Sequence, residues 1–151
     1  MPRISKHFKL PFTTVNIKYG KEKISFSLLR ELRIDEDKIN EEMSTQPGMY
    51  GFCLLLHKKL LTEFEKAKLQ RNRVYGHLLF QAKEKKSKST GRYYTDDMAK
   101  AWVEKHDEYV EASLVCIKIK DSADTIYSCI KSFEQRKDLI QSISSNLRNE
   151  R

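Results

Sequence analysis

A narrow apolar stripe near the C-terminus is the feature that most constrains the fold of this chain. From Tyr109 to Phe133, apolar or small residues recur at alternating steps of three and four, and Ile140 continues the pattern. Such a stripe, sustained over more than three heptads, needs another helix to cover it, within the chain or from a second copy. We therefore predict a coiled-coil-like C-terminal helix and interpret its stripe as an oligomerisation surface. The stripe residues are Tyr109, Ala112, Cys116, Ile119, Ala123, Ile126, Ile130, Phe133 and Ile140.

The residues before the stripe predict further helices and one small β element. Alternating apolar residues on both sides of Gly20-Lys21-Glu22-Lys23 indicate a β-hairpin within an appendage of residues 1–33. Residues 34–151 are expected to form one helical domain, which includes the oligomerisation surface. The fold class is all-α: a long helical hairpin with coiled-coil-like C-terminal helices and the small hairpin appendage.

The helix boundaries follow from capping residues and from Pro47. Asp35 or Asp37 can cap a short helix that runs to about Thr45. Gln46-Pro47-Gly48 should then interrupt it, with Pro47 in the first turn of a second helix that extends to about Ala82. The predicted apolar side of this second helix comprises Phe52, Leu55, Leu56, Leu60, Phe64 and Ala67.

A charged loop and a short helix separate the two long helices. Residues 83–92 contain no apolar side chain, which is typical of a loop. Thr95 should cap the next helix, whose apolar side we assign to Met98, Ala101 and Trp102. A break near residues 104–107 precedes the long terminal helix.

The sequence contains no pattern of an enzyme, a metal site or a membrane span. Asp96 and Asp97 follow Thr95 closely, so helix capping explains them better than acid–base chemistry. No apolar run approaches the roughly 18 residues of a membrane span, and no signal-like segment opens the sequence. We expect a cytoplasmic, non-catalytic protein without a cofactor. The histidines and cysteines are too scattered to form a ligand set, and the cysteines are interpreted as reduced core thiols; these residues are His7, His57, His77, His106, Cys53, Cys116 and Cys129.

Basic residues concentrate in the middle of the chain. Residues 71–92 carry a net charge of +6, within a total of +8. Cations interleaved with aromatic side chains are typical of proteins that bind single-stranded nucleic acid. The alternatives are a solvated loop and aromatic residues buried in the core. The candidate DNA-binding residues are Lys68, Arg71, Arg73, Lys83, Lys85, Lys86, Lys88, Arg92, Tyr93 and Tyr94.

Several segments resemble the UvsY family, the recombination mediators of T-even-like phages. The segment Ile34-Asp35-Glu36-Asp37-Lys38-Ile39-Asn40-Glu41-Glu42 is similar to the family's opening, and Pro47-Gly48-Met49-Tyr50 follows it. The resemblance continues at Thr95-Asp96-Asp97-Met98, at Asp107-Glu108-Tyr109 and at Ile130-Lys131-Ser132-Phe133-Glu134-Gln135-Arg136. It covers about residues 34–145. The chain departs from the family pattern in having Tyr75-Gly76-His77 after the basic pair, and in its hairpin-like N-terminus.

The resemblance implies a specific function. UvsY-like proteins are non-catalytic, form rings, bind single-stranded DNA and help a RecA-like recombinase replace single-strand-binding protein. Arg71 and Arg73 match the family's DNA-contacting pair. The implied partners are therefore single-stranded DNA, a RecA-like recombinase, single-strand-binding protein and further copies of this chain, in the host cytoplasm if a phage encodes it. The alternative function is a helical oligomeric scaffold or adaptor that binds an acidic protein.

Overall fold

The computed structural model describes residues 14–149, which form a mostly helical chain behind an N-terminal hairpin. This architecture confirms the predicted fold class. In chain order, the elements are β1 (Thr14–Tyr19), β2 (Glu22–Ser27), α1 (Leu28–Leu32), a 3-10 turn (Glu36–Lys38), α2 (Ile39–Lys83), α3 (Asp96–Glu104) and α4 (Asp107–Asn149).

The chain divides into two compact units. Among the described residues, the terminal unit contains those up to His57 together with those from Asp124 onward, and the central unit is Lys58–Ala123. The domain boundary proposed between residues 33 and 34 stays a prediction, and residues 1–13 of that appendage lie outside the described part of the chain.

The N-terminal hairpin of the terminal unit has the expected antiparallel pairing. Val15 pairs with Phe26 and Ile17 with Ile24, which places the apolar side chains on one face. The turn consists of two residues rather than the four expected, because Gly20 adopts φ +59° and closes it directly. Leu28 continues the alternation of Ile24 and Phe26 in the sequence, but it does not extend the second strand and instead begins α1. The Ser27 hydroxyl caps this short helix by accepting a hydrogen bond from the Arg30 N–H at 3.4 Å.

Helix α2 runs without interruption through Pro47, so the predicted break at residues 46–48 is wrong. Pro47 cannot donate to the carbonyl of Met43, a defect that costs about 3 kcal/mol in a helix interior. Tertiary contacts on either side of the proline favour the continuous helix. The Gln46 side-chain amide donates to the Phe133 carbonyl at 2.8 Å, and the Tyr50 hydroxyl donates to Glu134 at 3.3 Å. Asp35 caps the 3-10 turn that precedes α2.

A buried guanidinium joins α4 to the start of α2 in the terminal unit. Arg136 is 7% exposed and donates to the Gln46 side-chain oxygen at 2.6 Å and to the Arg33 carbonyl at 3.0 Å. It also forms a charged hydrogen bond with Glu42. A buried charge is tolerated only when it is paired and hydrogen-bonded, so these partners must fold around Arg136 together.

The apolar stripe of α4 is buried largely within the single chain. Its assignment to contacts between copies stays a prediction, and its burial here favours the intramolecular alternative. The buried members are Cys116, Ala123, Ile126, Ile130, Phe133 and Ile140, and the half-buried members are Tyr109, Ala112 and Ile119.

The predicted apolar side of α2 is confirmed in part, whereas that of α3 is rotated relative to the buried side. On α2, Leu56 and Leu60 are buried and Phe64 and Ala67 half-buried, as predicted. Phe52 and Leu55 are instead exposed, and the neighbouring Cys53 is fully buried. On α3, Ala99 and Val103 are buried, and of the predicted side only Trp102 is partly covered. Each helix carries more apolar residues than one face can bury, so the neighbouring helices decide which face is covered.

The three cysteines are free and buried, as expected for core thiols. Burial, with a smaller contribution from the Cys129 thiol, raises the pKa of Cys53 to about 11. Burial likewise raises the pKa of Cys129. Both thiols therefore stay protonated, and unreactive as nucleophiles, at neutral pH.

Replacing Pro47 with Ala should stabilise the protein by about 1–3 kcal/mol, because the new N–H completes the α2 ladder. Urea unfolding of the parent and of P47A measures this difference. If Pro47 instead began a separate helix, the substitution would leave stability unchanged or lower it.

Replacing Arg136 with Ala should destabilise the protein by about 3–5 kcal/mol, because Glu42 and Gln46 lose their buried partner. The matched control is Lys137→Ala, since Lys137 is adjacent and exposed; its effect should stay within about 0.5 kcal/mol. Equal losses in the two variants, measured by urea unfolding, would show that the network contributes nothing specific.

Candidate nucleic-acid interface

The predicted basic segment is a loop closed by its own backbone. We call residues 83–94 the basic loop; it begins at the last residue of α2 and leads to α3 within the central unit. The Ser87 N–H donates to the Arg92 carbonyl at 2.7 Å, and the Tyr94 N–H donates to the Lys85 carbonyl at 2.9 Å. Gly91 adopts φ +65°, which lets the chain reverse at little steric cost. The loop therefore has a defined backbone from which its cations project.

A buried apolar cluster of α2 and α3 residues supports the basic loop. Leu78 and Ala82 of α2 pack with Ala99 and Val103 of α3, and all four are buried. Tyr94 packs partly against this cluster, so it supports the loop more than it offers a face to a ligand. Thr95 caps α3 by accepting a hydrogen bond from the Met98 N–H at 3.3 Å, as the sequence predicted.

Two of the loop lysines make cation–π contacts with aromatic rings. The Lys85 ammonium lies 4.8 Å from the centre of the Trp102 ring, and the Lys86 ammonium lies 5.0 Å from that of Tyr93. Such contacts favour particular positions of the charges without neutralising them. Lys83 instead pairs with Asp96 at 3.1 Å. Most of the positive charge of the loop thus remains available to an anion.

Lys88, Arg92 and two aromatic rings are the most open groups near the loop. Lys88 and Arg92 are exposed. Tyr93 is 62% exposed and Phe80 is 69% exposed. In the sequence, Phe80 is one of the aromatic residues interleaved with the cations, and burial in the core was its alternative interpretation; the structure exposes it instead. Its position two residues after the buried Leu78 and two before the buried Ala82 is the signal that it faces outward.

The three candidates that precede the basic loop on α2 do not lie close together. Lys68 pairs with Glu65 at 3.3 Å. Arg71 is half-buried, whereas Arg73 is exposed, because helical geometry turns them about 160° apart. Arg73 also lies about 15 Å along the helix from Lys83. The loop residues therefore form a compact group, and the α2 residues are separate points of positive charge.

Metal-ligand groups and membrane-spanning helices are both absent from the described residues. Within residues 14–149, no group of three or more His, Cys, Asp or Glu side chains could hold a metal ion. No helix among these residues is long and apolar enough to cross a membrane.

Comparison with known proteins detects a similarity of structure alone. No family model and no curated protein sequence matches the chain. A crystal structure of the bacteriophage T4 recombination mediator protein UvsY (lattice type IV) superimposes with a TM-score of 0.69 at 14% identity, covering 82% of this chain and 93% of that one. A second crystal structure of UvsY (lattice type II) has a TM-score of 0.66 at 13% identity, covering 82% and 91%.

The chain has a UvsY-like fold. The resemblance seen in the sequence is therefore confirmed as a resemblance of fold. At 13–14% identity the similarity shows the fold alone, so it does not transfer individual DNA contacts such as those assigned to Arg71 and Arg73.

Replacing Gly91 with Ala should destabilise the protein by about 1–2 kcal/mol, because a side chain is strained at φ +65°. The matched control is Gly76→Ala in the helical part of α2, where an added Cβ meets no neighbour. That change should stabilise the protein by about 0.5–1 kcal/mol. Urea unfolding compares the two, and a stabilising G91A would contradict the loop geometry.

Proposed function

We propose that this protein is a non-catalytic recombination mediator that binds single-stranded DNA through its basic loop. In this proposal, it helps a RecA-like recombinase to assemble on DNA that is coated with single-strand-binding protein. The UvsY-like fold, which covers 82% of the chain, supports the general role. The open cations and rings of the loop support the ligand.

The single observation that carries the proposal is the presence of exposed Lys86, Lys88 and Arg92 in the same closed loop as the exposed Tyr93 ring. Cations bind the phosphates of a strand, and an exposed ring stacks on a base whatever its identity. No helix with a set of base-reading side chains accompanies them in the central unit, so the binding should depend little on sequence.

Several copies of the loop would act together in an oligomer. Linked weak sites gain affinity through effective concentration without new contacts. In this proposal, several subunits hold one strand, and the recombinase then binds that strand. Val110, Leu114 and Ile117 are exposed and lie about one turn apart on the same side of α4. They provide an apolar surface for contacts between copies while the stripe is buried.

The test is fluorescence anisotropy of a labelled random-sequence single strand at several salt concentrations. The variant K88A/R92A should bind more weakly for every sequence, with a salt slope flatter by about 0.7 for each phosphate that the protein no longer neutralises. The control K58A/K118A removes two exposed lysines from the long helices and should bind like the parent. Unlabelled duplex should leave the single-stranded complex largely intact.

Two results would contradict the proposal. If the parent bound no single strand at low salt, the protein would be better explained as a scaffold or adaptor for an acidic protein partner. If K88A/R92A and K58A/K118A bound alike, the basic loop would not be the DNA site. When binding is confirmed, displacement of single-strand-binding protein by the recombinase, with and without this protein, tests the mediator role itself.

A further inference from the structure

The outward face of the β1–β2 hairpin consists entirely of hydrogen-bonding side chains. Val15 and Ile17 are buried on the other face, so their neighbours along β1 point to solvent. The outward residues form three cross-strand pairs: Thr14 with Ser27, Asn16 with Ser25, and Lys18 with Lys23. The Ser25 hydroxyl donates to the Asn16 carbonyl oxygen at 2.8 Å.

The charge on this face has one sign. Lys18 and Lys23 stand directly opposite each other, and the exposed Lys21 lies in the turn between them. Glu22, which is the one acidic residue of residues 14–27, pairs with Tyr19 on the opposite face. Like charges opposite each other destabilise a strand pair. A bound anion would relieve this repulsion. The hairpin tip, by which we mean Lys18, Lys21 and Lys23, is therefore suited to a polyanion.

The composition of the face favours nucleic acid over protein. Protein interfaces are anchored by buried aromatic, apolar or arginine side chains, and this face has none of these. Nucleic-acid interfaces are polar and positively charged, and Lys, Ser, Thr and Asn supply many of their contacts to phosphates and base edges.

The shape and chemistry of the face favour duplex over single strand. A two-stranded β-ribbon fits the major groove of B-form DNA, which is about 12 Å wide. Six-residue strands extend about 20 Å along such a groove. In contrast to the basic loop with Tyr93, the outward face has no ring on which an unpaired base could stack.

We propose that the outward face of the β1–β2 hairpin is a second nucleic-acid site, which binds duplex DNA through Lys18, Lys21 and Lys23. Asn16 lies beside these lysines, and its side-chain N–H groups can donate to phosphates or base edges. Its side-chain oxygen accepts from the Ser25 hydroxyl. This site is independent of the single-strand site in the basic loop.

The test is anisotropy of the full chain with a labelled random 20-base-pair duplex and, separately, a random single strand. The variant K18A/K21A/K23A should lose at least about tenfold in duplex affinity, with a salt slope flatter by about 2–3. Its single-strand affinity should stay within about twofold of the parent. K18R/K21R/K23R keeps the charges and should retain duplex binding, which separates the removal of charge from misfolding.

Two further variants complete the design. The control K58A/K100A/K118A removes the same total charge from exposed positions on the helices and should bind duplex like the parent. K88A/R92A should lose single-strand affinity but keep duplex affinity. If single-strand binding failed everywhere while duplex binding depended on the hairpin tip, the function proposed for the loop would fail and the duplex site would stand.

Several outcomes would overturn the duplex site. One is a parent that does not bind duplex, and another is a K18A/K21A/K23A variant with unchanged duplex affinity and salt slope. Equal losses of duplex and single-strand affinity would make the tip a general phosphate contact. Competition by poly-glutamate as effective as that by unlabelled duplex would indicate an acidic protein as the ligand.

Discussion

The buried Arg136 guanidinium is the interaction on which the terminal unit depends most. A charge so removed from water is stable only when several partners surround it, and Glu42, Gln46 and the Arg33 carbonyl do so. These partners come from the linker before α2 and from the first turns of α2, so one side chain of α4 sets how that segment packs. The same contacts help to hold α2 continuous through Pro47, against the preference of the proline.

In the central unit, the backbone of the basic loop likewise depends on a few residues. A small apolar cluster fixes the ends of α2 and α3, and Gly91 lets the intervening chain reverse. The backbone is thereby defined, while Lys88 and Arg92 remain exposed. A defined backbone reduces the entropy that binding must remove, whereas the long cationic side chains can still adapt to an irregular strand. The β1–β2 hairpin carries its lysines on a regular scaffold without an aromatic ring, which suits a regular duplex.

Local signals predicted much of this structure. The alternation around Gly20 predicted the hairpin, Thr95 predicted the start of α3, and the polar residues 104–107 predicted its end, because turns and caps depend on a few neighbouring side chains. The basic loop was predicted for the same reason. Local signals failed at Pro47, where distant partners stabilise a helix that the proline opposes.

The sequence by itself determined that the chain would be mostly helical and that its cations would gather in a loop. It also determined that the apolar stripe of α4 would pack against another helix. Only the tertiary structure decided which faces are covered. Phe52 is exposed and Cys53 is buried, and most residues of the α4 stripe are buried within one chain. The physical reason is the distance along the sequence over which each kind of interaction acts. Turns and caps are set by adjacent residues, whereas burial depends on side chains that lie far away in sequence, such as Gln46 and Phe133.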